Sequence, residues 1–137
     1  MNCGWLRLAV LSGVVLAVLT LPSCGQDQTL ESIKVSPRNS VITGAGLDLQ
    51  YTALGYYSHP PETKDITSTV IWKSQADQII AFETPDKPGL ATSQSGCGTN
   101  LGISATVYSN PGDPANGTAV VGSATVTVNQ VDDPNCP

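Results

Sequence analysis

Basic residues are scarce in this chain. Only six Lys and Arg are spread over 137 residues, charged residues make up 12% of the total, and the formal net charge is −5. Affinity for a nucleic-acid backbone needs clustered Lys and Arg, so the composition speaks against a nucleic-acid partner. Acidic residues form no block of one sign either. There is a single histidine, His59, and no G-x-S-x-G nucleophile motif accompanies it. In the stretch "SHPPETKD" His59 has Glu62 and Asp65 nearby, but a solvated histidine in a Pro-rich turn is the simpler reading, and no enzyme is expected. Once the N-terminal segment and Cys24 are set aside, two free Cys and His59 are too few for a structural zinc site, which wants four ligands at short intervals. No metal or other cofactor is expected.

What is present instead is punctuation. Thirteen Gly, ten Pro and many Thr, Ser and Val describe short strands joined by turns. The length allows one domain once a targeting segment is set aside.

The first 23 residues read as that segment. Arg7 supplies the positive end, and Leu8 to Leu21 is an uncharged run of 14 residues. A membrane-spanning helix wants about 20 apolar residues, so a cleaved signal peptide is favoured over an uncleaved anchor starting near Trp5. The run ends in Leu21-Pro22-Ser23-Cys24, which resembles the bacterial lipobox. The resemblance implies cleavage before Cys24, a diacylglycerol on its thiol and a further acyl chain on the freed amine, with the thiol as nucleophile. One chain binds a membrane marginally, and two or three anchor stably. The competing reading makes Cys24 an incidental residue beside an ordinary cleavage site. Gly25 rather than Asp follows, so the inner-membrane retention signal of enterobacterial lipoproteins is absent. The expected address is the outer membrane where there are two membranes, and the outer face of the cell membrane otherwise.

The mature chain alternates with period two. Strands are expected at Leu30–Val35, at "SVITGAG", through Leu47, Leu49, Tyr51 and Ala53 on one face, at Ile66–Lys73 as a central strand carrying Val70 and Trp72, at "QIIAFET", "GISATVY" and "GSATVTV". Seven short strands with turn signals between them argue for a two-sheet sandwich. A hairpin turning at Asn116-Gly117 sets Ala105 opposite Val128 and Val107 opposite Val126. In the same register Cys97 faces Cys136. With Cys3 removed and Cys24 lipidated, these two are the even pair expected to form a disulfide in an oxidising compartment.

The stretches "SIKVSP", "TGAGLDLQYTALGYYS", "TKDITSTVIWKSQ", "GLAT" and "GSATVTV" resemble the bacterial immunoglobulin-like domain, group 2, from Leu30 to Val128. Two departures are "HPPE" in place of an Asp-Gly-type turn and a lengthened "SQSGCGTN". The resemblance implies an all-β, immunoglobulin-like two-sheet sandwich of about seven strands. Residues 1–23 would then be signal peptide, 24–29 a tether, 30–130 the domain and 131–137 a tail held by the disulfide. Family members commonly stand in large adhesins and surface enzymes, which implies a non-catalytic envelope interaction or adhesion module. The alternative is an accessory glycan- or small-ligand-binding lipoprotein, for which Tyr56, Tyr57 and Tyr108 are the candidate contacts. In such a sandwich the loops "SHPPETKD" and "SNPGDPANG" face the membrane, and "TGAG", "PDKPG", the Cys97 region and the acidic tail occupy the free pole.

Three further features have plainer explanations than a site. Asn110, Asp113 and Asn116 offer oxygens to calcium, but are also what any turn requires. Asn116-Gly117-Thr118 matches a glycosylation sequon, and a turn is the better account of it in a bacterial lipoprotein. Asp132 and Asp133 are adjacent in an extended tail, where successive side chains diverge.

Overall fold

A computed structural model describes residues 28–83, 85–109, 112, 115, 117–131 and 136. Among them the chain is all-β, with ten strands and no helix. They are β1 (Thr29–Ser36), β2 (Asn39–Thr43), β3 (Asp48–Gln50), β4 (Thr52–Ser58), β5 (Glu62–Asp65), β6 (Ile71–Ser74), β7 (Ile80–Phe82), β8 (Leu90–Ser93), β9 (Gly98–Tyr108) and β10 (Ala119–Asn129). The hydrogen-bonded orders are β1-β4-β5, β3-β8-β7 and β2-β10-β9-β6. The first two sheets continue one another, because β3 and β4 are a single extended segment interrupted at Tyr51. There the backbone N–H leaves the ladder and donates to Gly89 O at 2.7 Å.

Alternation decides which side chains meet. Along β9 and β10, Ile103, Ala105, Ala124, Val126 and Val128 point inward and are buried, while their neighbours face solvent or lie half-buried. Opposite them stand Ile33 and Val35 of β1, Tyr51, Ala53, Ile80 and Ala91, forming one core. Trp72 lies against Phe82 with ring centroids 5.3 Å apart, and Tyr51 closes the aromatic group at 6.1 and 6.0 Å. Each fully buried aliphatic or aromatic side chain contributes about 1.5–3 kcal/mol. β1 and β10 approach so closely that a Cβ on Gly122 would meet Ile33 O at 2.6 Å. Gly89 is required twice over, by its φ of +78° and by Tyr51 O, 2.3 Å from where a Cβ would stand.

Several expectations need correction. β5 lies inside "SHPPETKD", which reads as a loop because all four of its residues are exposed; its backbone pairs with β4 regardless of side-chain pattern. The expected strand Ile66–Lys73 begins instead with a turn, in which Ile66 O accepts from Thr69 N and Val70 N, and only Ile71 onward is strand. Trp72 is a core residue as expected, but β6 is the edge of its sheet rather than a central strand. β10 pairs in parallel with β2, a non-local contact that no local pattern announces.

The last hairpin keeps its inward parity but not its register. Ala105 faces Gly122 and Val107 faces Val120, in place of Val128 and Val126. The closing bond runs from Ser109 N to Thr118 O, so the strands are joined by a wide loop and not by a two-residue turn at Asn116-Gly117. A shift by an even number of residues preserves the buried face, which is why parity alone could not detect it.

Two poles follow from this topology. Thr29 pairs with Ser58, and Gln28 Nε2 donates to Glu62 at 2.8 Å, so the chain emerges beside the His59–Pro61 turn and the Ser109–Thr118 loop. At the other pole Ser93 Oγ donates to Gly44 O and accepts from Leu47 N, fixing "TGAG". Gln130 Nε2 donates to Gln94 O and Gly96 O there, both at 3.0 Å. "PDKPG" does not reach that pole. The β7–β8 connection ends at Gly89, midway along the domain against Tyr51.

Candidate functional site

The pole at which the chain enters β1 is held by a small polar network. Lys64 Nζ donates to Gln28, pairs with Glu62 at 3.1 Å, and lies 5.2 Å from the centre of the Tyr57 ring. The Gln28 and Lys64 hydrogen bonds hold the Glu62 carboxyl below the usual carboxylate range. Asp65 Oδ1 accepts from Thr67 N–H at 2.9 Å, and the Thr67 side chain and backbone together lower its pKa as well. Thr67 in turn accepts from Ala53 N through its hydroxyl and from Trp72 Nε1 through its carbonyl, both at 2.9 Å. The stretch Lys64-Asp65-Ile66-Thr67 is therefore a structural knot that seats the core tryptophan. Both carboxylates near His59 are engaged by these other partners, and His59 itself is exposed with φ 54°.

The three candidate tyrosines lie toward this pole but on different faces. Tyr57 points inward opposite Leu30, while Tyr56, one residue away, faces outward with 38% of its surface exposed. Tyr108 is at the end of β9, paired with Ala119, on the outer face of the other layer. They do not make one stacking platform. Between the layers at the same end is a recess of about 340 Å³, lined by Leu30, Tyr57, Val107 and Val120 with polar Gln28 and Ser109 at its rim.

At the opposite pole Cys97 and Cys136 are bonded, with Cα atoms 5.7 Å apart. The ladder is not what aligns them. Past the irregularity between Val126 and Val128, Gly98 already faces Val128, so Cys136 lies well beyond the residue that would pair with Cys97.

No family model and no curated protein matches the chain.

Cys24, the calcium candidates Asn110, Asp113 and Asn116, and Asp132 and Asp133 lie outside the described residues. Among the described residues, no group of three or more His, Cys, Asp or Glu could hold a metal ion, and no helix is long and apolar enough to cross a membrane. Sequence reasoning passed over Gln28, Leu30, Val107 and Val120 as site residues. The inward parity of the last three was legible, but their position at an open end of the core was not.

Proposed function

We propose that this protein is a bacterial lipoprotein, anchored through acyl chains on Cys24, that holds a single immunoglobulin-like domain at the cell envelope as a non-catalytic interaction module. The observation that carries the reading is the Cys97–Cys136 disulfide. A bonded pair fits an exported chain, and it accounts for all cysteines beyond the N-terminal segment that holds Cys3 and Cys24. "LPSC" at the end of the apolar run supplies the anchor.

The strand order supports the immunoglobulin-like part. In that fold the first, second, fifth and fourth strands share one sheet, and the third, sixth and seventh share the other. Counting β3 and β4 as the second strand, β1, β3/β4, β8 and β7 stand in the first relation and β6, β9 and β10 in the second. A buried tryptophan on the third strand, here Trp72, belongs to the same pattern. Tyr51 and Phe82 pack against it, where antibody domains place a disulfide.

Metabolic labelling with an alkyne fatty acid tests the anchor. Label should enter the wild-type protein and be lost in Cys24→Ser. Equal labelling of both, or of neither, removes the lipoprotein reading. The glycan-binding alternative has weaker support, since Tyr56, Tyr57 and Tyr108 are on three different faces.

A further inference from the structure

The charge of this domain is unevenly distributed. The four strands β2, β10, β9 and β6 contain no Asp or Glu, although the chain carries eleven acidic residues. Glu31, Asp48, Glu62 and Asp65 are on strands of the other layer, and Asp77, Glu83 and Asp86 are in connections. Of the five cations among the described residues, Lys73 alone is on these strands, beside a recess it shares with Asp77, and two more stand at the layer's β10 edge. Lys73 projects from the outer face of β6, and Lys34 and Arg38 border the same face in a groove lined by Val121 and Ser123. Among the described residues the ion pairs are Glu62–Lys64 and Glu83–Lys87, so these three cations have no carboxylate within pairing distance there.

Apolar side chains stand on the same face. Ile71, Thr106 and Val121 form one row across β6, β9 and β10, with Ile71 48% and Val121 55% exposed. Tyr108 and Ala119 continue it toward the pole where the chain enters β1, and Val41 stands farther along on β2. Apart from Lys73, which is in a row with Ser104 and Ser123, the residues between are Ser, Thr, Asn and Gly.

We infer that this outer face is a docking surface for anionic lipid headgroups, and that the anchored domain lies with it against the membrane. The inference rests on the lipoprotein reading. Two observations select a lipid surface over other occupants. The charge is complementary: cations without carboxylates attract an anionic leaflet, with exposed aliphatic groups and a tyrosine placed to enter the headgroup layer. The reach is short: Cys24 to Gln28 is four peptide units, at most about 14 Å when extended, so the surface is always close at hand. The acidic layer then faces away from the membrane, where repulsion from it is least.

The test uses the lipidated full-length protein in vesicles of phosphatidylcholine alone or with one part in four phosphatidylglycerol. An environment-sensitive fluorophore is attached at Ser123→Cys, on the proposed face, or at Thr63→Cys, on the outer face of β5. Spin-labelled lipids should quench the Ser123 probe and spare the Thr63 probe, more strongly with phosphatidylglycerol and less at high salt. Lys34→Gln, Arg38→Gln and Lys73→Gln together should lower the lying-to-upright ratio by up to about a hundredfold. Lipid on Cys24 with both probes quenched alike, or neither, overturns the inference and leaves the anchor standing. Quenching of Ser123 that is replaced by energy transfer between labelled copies points to a second chain on this face and also overturns it. Failure to float with vesicles, with no lipid mass on Cys24, overturns both.

Discussion

Tyr51 is the largest side chain wholly withdrawn from water among the described residues, yet no hydrogen bond of good geometry reaches its hydroxyl or the nearby Oγ of Ser40. A buried hydroxyl left unpaired costs about 1–3 kcal/mol. Tyr51→Phe removes that cost, keeps the ring against Trp72 and Phe82, and leaves a void of one oxygen. Such a void, about 10–15 Å³, costs about 0.3 kcal/mol at roughly 24 cal/mol per Å³. The variant should therefore be more stable by about 1 kcal/mol or more, read as a rise in Tm of about 4–8 °C per kcal/mol for a domain of this size.

A second readout comes from alkali. Burial pushes the Tyr51 hydroxyl above its ordinary 10.0, against a smaller pull from the nearby Ser40 hydroxyl. The unfolded chain ionises first as the pH passes that value, so the stability is fully present below about pH 10 and declines above it. Tyr51→Phe should flatten the decline. Urea denaturation of Tyr51→Phe, Ser40→Ala and the double variant would decide the matter. A loss of about 1 kcal/mol in Tyr51→Phe, together with coupling to Ser40 beyond about 0.5 kcal/mol, would show a real hydrogen bond and refute the reasoning.

Other expectations follow from single contacts. Replacing Cys97 and Cys136 together by Ser frees a loop of 39-residue separation, and the urea midpoint should fall by an amount equivalent to about 4 kcal/mol in the chain-entropy treatment; a shift worth less than about 1 kcal/mol would contradict it. Gly122→Ala drives a methyl into Ile33 and should cost about 1–3 kcal/mol, measured by thermal melting, with an unchanged Tm as the contrary result. Gly89→Ala meets both the positive φ and Tyr51 O and should destabilise more than Gly122→Ala in the same assay. Asp65 has a lowered pKa from its Thr67 bonds, so its contribution is present above the usual carboxylate range and is lost as the pH falls below it. Asp65→Asn should accordingly show a flatter stability profile between about pH 5 and 2, and an identical profile would count against the turn bond.

Wherever a side chain alternates between core and solvent, the pattern was readable in advance. The period running through Leu49, Tyr51 and Ala53, and the paired runs of β9 and β10, are inward as expected, whereas Leu47, expected on the same face, precedes β3 and is 46% exposed. What the pattern did not hold is backbone pairing without side-chain contrast. β5 is exposed along its whole length, and the parallel β2–β10 pair joins segments more than eighty residues apart. The disulfide was correctly paired for an insufficient reason. The register that set Cys97 opposite Cys136 is displaced, and cysteine arithmetic rather than ladder geometry was the sound argument. Of the site, the pole where the chain enters β1 was legible through the loop order, and the layer without Asp or Glu on its strands was open to view as soon as the four strands were known to share a sheet.

The measurement closest to the centre of the account is the intact mass of the N-terminal peptide from the natural protein. The expected result is a chain beginning at Cys24 that carries diacylglycerol on its sulfur. A peptide beginning at Met1, or a Cys24 with a free thiol, would contradict it.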